Sequence, residues 1–176
     1  MRIGAVLVRN TEKIISVIVP YIQRLKMIIK LKKLNPAAAI PAKSKMLDFC
    51  YDCVAVSEEE IAPNVWKYGL GFAVEMDRES SYFHTNDLSL SLDIRPRSSV
   101  WKTGMVLANC EGTVDEGYRG EVCAIFYHVM PNMPRYKVGD RVCQIKLGDA
   151  EVLDFIEAEE LSDTERGSDG FGSTGK

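Results

Sequence analysis

Trp66-Lys67-Tyr68-Gly69-Leu70-Gly71-Phe72-Ala73-Val74-Glu75-Met76 repeats with a period of two. Trp66, Tyr68, Leu70, Phe72, Val74 and Met76 fall on one face, and Lys67, Gly69, Gly71, Ala73 and Glu75 on the other. A helix would spread such a set around its circumference, whereas an extended strand gathers it onto one side. The stretch therefore reads as a half-buried strand. Working outward, Leu88, Leu90, Leu92 and Ile94 alternate with Ser89, Ser91 and Asp93, giving a second strand. Asp77 to Asp87, between them, is polar and reads as a loop.

The same period continues in both directions. Met27, Ile29 and Leu31 alternate with Ile28, Lys30 and Lys32, a first strand. Val122 to Val129 is nearly continuous in apolar and aromatic residues, the pattern of a strand buried on both faces. Cys143, Ile145 and Leu147 alternate with Gln144 and Lys146, and Val152 to Ile156 forms one more strand. Lys137-Val138-Gly139-Asp140 reads as a turn and Asn35 to Pro41 as an irregular connection. Many short strands divided by Gly, Pro and Asp turns imply an all-β barrel or sandwich. Only the segment before Met27 departs from this: Thr11-Glu12-Lys13 followed by Ile14, Ile15, Ile18 and Ile22 reads as a short helix with a threonine N-cap, limited by Pro20.

The chain has 176 residues, enough for one domain with a core. Its charge is uneven. Residues 1–33 carry eight Lys/Arg against Glu12 alone, which leaves the rest at a net of about −10 within an overall −3. That balance argues against a general nucleic-acid binder, and an acidic body that binds a polyanion needs local arginines or a divalent cation. Five cysteines, an odd number in a chain of this size, fit a reducing, cytoplasmic setting better than a disulfide framework. Cys50-Tyr51-Asp52-Cys53 lacks a second pair for zinc, so the thiols read as buried or incidental. No apolar run reaches membrane-spanning length. Three readings fit residues 1–26: an extension upstream of a start at Met27, a helical appendage, or a targeting segment.

Three stretches carry chemistry. Arg95-Pro96-Arg97-Ser98-Ser99 follows a strand and presents a cation, hydroxyls and backbone N–H groups to an anion. Gly112-Thr113-Val114-Asp115-Glu116-Gly117-Tyr118-Arg119-Gly120 is a tight hairpin with a carboxylate and an aromatic ring. The tail from Asp163 holds Arg166 and Phe171 among glycines, where Phe171 has no local core to join and a flat base would suit it. Gly170 to Lys176 imitates the start of a phosphate-binding Walker loop, but lacks its Ser/Thr and the helix that must follow. His84 and His128 have no serine or cysteine arrangement beside them and read as structural.

In order, these pieces resemble the trimeric deoxyuridine triphosphatase (dUTPase) family, whose five motifs match Cys50-Tyr51-Asp52, Pro96-Arg97-Ser98-Ser99, Gly112 to Gly120, Gly139-Asp140-Arg141-Val142-Cys143-Gln144, and Arg166 to Gly175. Cys50 and Cys53 depart from the first motif, Asp169 replaces a usual glycine, and Asp77–Asp87 resembles an insertion. The resemblance implies a dUTPase-like β-clip barrel over residues 27–162, an N-terminal extension 1–26, and an arm 163–176 that closes over the site. It implies hydrolysis of dUTP to dUMP and pyrophosphate, which limits uracil in DNA and supplies dUMP for dTMP synthesis. Asp115 would activate water against the α-phosphorus. Tyr118 would underlie the deoxyribose and exclude a 2′-hydroxyl. Gly112, Thr113, Val114, Cys123 and Asn109 would read uracil. Arg97, Ser98, Ser99 and Gln144 would hold phosphates, and Arg166, Phe171, Gly172 and Ser173 would close from the arm. Mg²⁺ would be held by phosphates and water, with Asp52 as indirect support and no direct protein ligand. A homotrimer would share its sites between subunits. Two other readings are a nucleotide-sensing regulator on the same scaffold and a dCTP deaminase relative.

Overall fold

The computed structural model describes residues 27–79 and 88–168. The helix expected around Ile14 to Ile22, most of the loop to Asp87, His84, Phe171, Gly172 and Ser173 lie outside them.

Among the described residues, ten strands run β1 Ile28–Lys33, β2 Tyr51–Val54, β3 Ser57–Ala62, β4 Val65–Gly69, β5 Phe72–Asp77, β6 Leu88–Arg95, β7 Met105–Leu107, β8 Gly112–Asp115, β9 Cys123–His128 and β10 Arg141–Glu151, with one 3₁₀ turn at Val100–Lys102. They form two four-stranded sheets, β2-β10-β6-β8 and β3-β4-β9-β7, and a β1-β5 ribbon. Every described pairing is antiparallel. The all-β expectation holds.

The long alternating stretch obeys its pattern but not as one strand. Tyr68, Leu70, Phe72, Val74 and Met76 are all buried, as a period of two requires. The chain nevertheless changes sheets at Leu70-Gly71: β4 pairs with β3 and β9, whereas β5 pairs with β1. Gly71 adopts φ +73°, and a Cβ there would meet Val56 Cγ2 at 2.6 Å. Its N–H donates to Glu121 Oε1 at 2.8 Å, and Val122 N–H donates to Phe72 O at 2.9 Å, so the switch is tied to the segment entering β9. Both the open backbone conformation and the close approach require glycine.

Two expectations are corrected. β9 is not buried on both faces. Ala124 and Phe126 point into the core, while Tyr127 is exposed and Cys123, Ile125 and His128 are half-buried. Its aromatic content comes from serving one inner and one outer face. Val152 to Ile156 forms no strand in the single chain: β10 ends at Glu151, and every residue from there to Ser168 is exposed. Apolar composition alone cannot create a strand without a neighbouring edge to bond with.

The core lies between the sheets. Tyr68, Phe126 and Tyr136 meet edge to face, with ring centroids 5.4 to 6.1 Å apart. The Tyr68 hydroxyl donates to Tyr136 O at 2.9 Å, so this buried polar group is satisfied. All five cysteines are free thiols. The turn at Lys137–Asp140 forms as expected, with Asp140 N–H donating to Lys137 O at 3.0 Å and Gly139 at φ +91°.

Candidate active site

β6 is the spine on which the predicted site residues are arranged. At one end, the chain leaves Arg95 into Pro96-Arg97-Ser98-Ser99. Arg97 turns back to Asp52 on β2, with Nε to Oδ1 at 2.8 Å and Nη2 to Oδ2 at 3.3 Å. Its Nη1 reaches Ser99 Oγ at 3.3 Å. Arg141, at the start of β10, donates to the same Asp52 Oδ2 at 3.0 Å, and Ser44 Oγ bonds both, at 3.1 Å to Asp52 and 2.9 Å to Arg141. One carboxylate thus orients two guanidinium groups. Burial opposes ionisation of Asp52, but hydrogen bonds and charge from Arg97, Ser44 and Arg141 outweigh it and hold its pKa below the usual carboxylate value. Gln144, opposite Arg95 in the β6–β10 ladder, donates to Pro96 O at 2.9 Å and braces the turn. Ser98 is exposed beside them.

At the other end stands Asp115. Register places Gly112 opposite Ile94 and Asp115 opposite Ser91, so β8 runs its four residues away from Arg97. Asp115 is exposed and closes the strand, and Tyr118 N–H donates to Asp115 O at 3.0 Å to make the turn. The Tyr118 hydroxyl then donates to Glu121 O at 3.1 Å. Its ring lies so close to Gly120 that a Cβ there would stand 2.5 Å from Cζ. Glycine at position 120 is what lets the ring lie flat on the turn.

Between these ends, Thr113 is exposed and Val114 buried, and Asn109 packs beside Gly112. Cys123 begins β9 opposite Gly69 in the other sheet, and burial raises its thiol pKa to about 11, leaving it protonated and unreactive. Arg166 lies in the exposed turn Glu165–Ser168, where Gly167 N–H donates to Thr164 O at 3.1 Å.

The single chain therefore brings Arg97, Ser99, Asp52 and Gln144 together, and separately Asp115 with Tyr118. From Ser91 to Arg95 alone the strand spans roughly 13 Å. An apolar groove of about 490 Å³, lined by Ile29, Leu31, Val74, Leu92 and Ile145 among others, contains none of the predicted site residues. Two contributors escaped the sequence reading as site residues. Arg141 stood within the fourth motif and could have been paired with Asp52. Ser44 carried no signal separable from an ordinary loop.

The family model for dUTPase matches residues 78–175. The deoxyuridine 5′-triphosphate nucleotidohydrolase of Nautilia profundicola is 36% identical over 152 residues, covering 84% of this chain and 99% of that one. The chain belongs to the dUTPase family. The Wolinella succinogenes enzyme of the same name is also 36% identical, over 86% of this chain and 96% of that one. Among solved structures, the Staphylococcus bacteriophage 80alpha dUTPase with dUpNHpp superposes with a TM-score of 0.62 at 22% identity, covering 85% of this chain and 99% of that one. A variant of the phage phi11 dUTPase from S. aureus, described with a structural Mg(II) ion, reaches 0.57 at 16%, covering 77% and 99%. At those identities the structural likenesses speak for the shared fold, and the sequence matches carry the family.

Proposed function

We propose that the protein hydrolyses dUTP to dUMP and pyrophosphate. The observation that carries this reading is Asp115: an exposed carboxylate at the end of β8, one turn from Tyr118, in a chain of the dUTPase family. Asp115 takes a proton from water as its oxygen bonds the α-phosphorus. The bond from that phosphorus to the α,β-bridging oxygen breaks, and pyrophosphate leaves with the electron pair. A positioned base contributes roughly 10²–10⁴ in rate. Tyr118, pinned flat by its hydrogen bond to Glu121 and by Gly120, offers the face against which a deoxyribose packs. The backbone of Gly112 to Val114, with Asn109 beside Gly112 and Cys123 contributing from β9, reads the uracil edge, because a wrong base leaves buried N–H and C=O groups unpaired.

Arg97, Ser98, Ser99 and Gln144 bind the triphosphate, with Asp52 holding Arg97 in place. Mg²⁺ carried by the nucleotide would supply charge neutralisation at the triphosphate that Arg97, Ser98, Ser99 and Gln144 bind, with Asp52 supporting it indirectly through Arg97.

The active unit is a homotrimer. In one chain Asp115 and Arg97 occupy opposite ends of β6, an arrangement that fits a site completed by residues of a neighbouring subunit. The segment after β10 supports the same reading: Phe155 is 92% and Ile156 88% exposed, apolar surface that an isolated subunit keeps at a cost. The arm from Asp163, with Arg166, Phe171, Gly172 and Ser173, then closes over a neighbour's site and excludes bulk water.

Incubating the protein with each dNTP and Mg²⁺ while following pyrophosphate tests the assignment. Release from dUTP alone supports it. Tight dUTP binding without turnover would instead make the protein a nucleotide sensor, and ammonia release from dCTP would make it a deaminase.

A further inference from the structure

The residue after Asp115 is held by a cation from a distant part of the chain. Arg78 follows β5, and its guanidinium grips Glu116 with both carboxylate oxygens engaged, Nη2 to Oε2 at 2.6 Å. Nη2 also donates to Leu88 O at 2.8 Å, the carbonyl that opens β6. One planar group thus joins the end of β5, the start of β6 and the turn after β8. Both partners are more than half buried, with side-chain exposures of 23% and 31%. Isolated surface ion pairs hold little, but a bidentate pair with a third backbone bond fixes geometry in two dimensions. On the other side of the turn, Arg119 Nη1 donates to the carbonyls of Glu116 at 2.6 Å and Tyr118 at 3.0 Å.

Asp115 itself makes no side-chain hydrogen bond or ion pair among the described residues. Its direction is inherited from the backbone. On the N-terminal side that backbone is held by the ladder to β6, which ends at the Ser91–Asp115 pair. Beyond it, the next anchor is Glu116.

We infer that Arg78 is a positioning residue for the hydrolysis proposed above, acting through Glu116 to hold Asp115 and Tyr118 in their working geometry. The polar loop that begins at Arg78 therefore has one end built into the catalytic turn. This inference rests on the dUTP reading for its kinetic consequence, though not for the clamp itself.

The experiment uses the full chain with Arg78→Ala, Arg78→Lys, Glu116→Gln and the double variant Arg78→Ala/Glu116→Gln. With dUTP and Mg²⁺, kcat should fall about tenfold in Arg78→Ala and in Glu116→Gln, while KM stays within about threefold, because misplacement of a reacting group costs rate more than binding. Lysine should retain more kcat than alanine, and the double variant should be no slower than either single one, since both break the same link. Amide hydrogen exchange in the nucleotide-free protein should quicken across residues 115–119 and stay unchanged in β4 and β9. A folded Arg78→Ala with wild-type kcat, or additive losses in the double variant, would overturn the positioning role. If the wild-type protein left dUTP intact, the proposed activity would fall. Exchange would then decide the clamp alone, and unaltered protection at 115–119 would refute it.

Discussion

Asp115 closes β8 and Asp52 lies within β2, and their surroundings differ sharply. Asp115 is exposed and keeps its carboxylate uncommitted among the described residues, as the base proposed above requires. Replacing it with asparagine removes that proposed base while retaining shape. Turnover of dUTP should drop at least about 10²-fold with nucleotide binding retained, as steady-state kinetics and calorimetric titration will show; unchanged kcat would remove Asp115 from its role. Asp52 is committed to Arg97 and Arg141. Asp52→Asn leaves both cations without their ionic partner and should destabilise the fold by about 1–3 kcal/mol in denaturant melts. The pH dependence has a definite sign. The folded pKa of Asp52 lies below its unfolded value, so its contribution is complete above that unfolded value and disappears as pH falls through the folded one. The stability gap between wild type and Asp52→Asn should therefore shrink on going from pH 7 to about pH 3, and a gap constant over that range would show that Asp52 is not the group concerned.

Among the elements, the break between β4 and β5 decides the layering. One alternating run supplies a strand to each of two separate sheets because Gly71 turns the chain at φ +73° without losing the inward phase of its side chains. Gly71→Ala places a methyl 2.6 Å from Val56 Cγ2 and about 3 Å from Asn35 and Ala38, in a conformation L residues avoid. A loss of about 2–4 kcal/mol is expected, read as a lowered denaturant midpoint. A neutral effect would mean that the switch tolerates a side chain. The alternation itself was legible in residues 66–76 because burial imposes it. The switch was not, because either phase of φ at a glycine suits the same pattern. For β8 and its turn the position was legible from Asp115 to Gly120, while the hold of Arg78 on Glu116 joins residues 38 apart in sequence, a separation at which pattern carries no information.

For the whole molecule, the exposed segment after Glu151 is the informative part. Val152 to Ile156 is apolar except at Asp154, yet it pairs with no strand among the described residues. If the proposed trimer forms through this segment, Phe155→Asp with Ile156→Asp should shift it toward smaller species in light scattering, with activity lost in parallel; an unchanged assembly of full activity would place the subunit contacts elsewhere. Ending the chain before Arg166 should leave the oligomer folded and nearly inactive, and full turnover by that truncated protein would take the arm out of the mechanism.

What the sequence determined by itself is local and periodic. It contains the two-residue alternation that makes the chain all-β, the turn chemistry of Gly112 to Gly120, and the order of motifs that marks the family. These survive in one dimension because each depends on residues close together along the chain. Only the tertiary structure decided which strands share a sheet, that Arg97 and Arg141 converge on Asp52, and that Asp115 stands at the far end of β6 from them. Those facts depend on register and on long-range closure of charged pairs, which the free energy of the whole fold selects and no short stretch encodes.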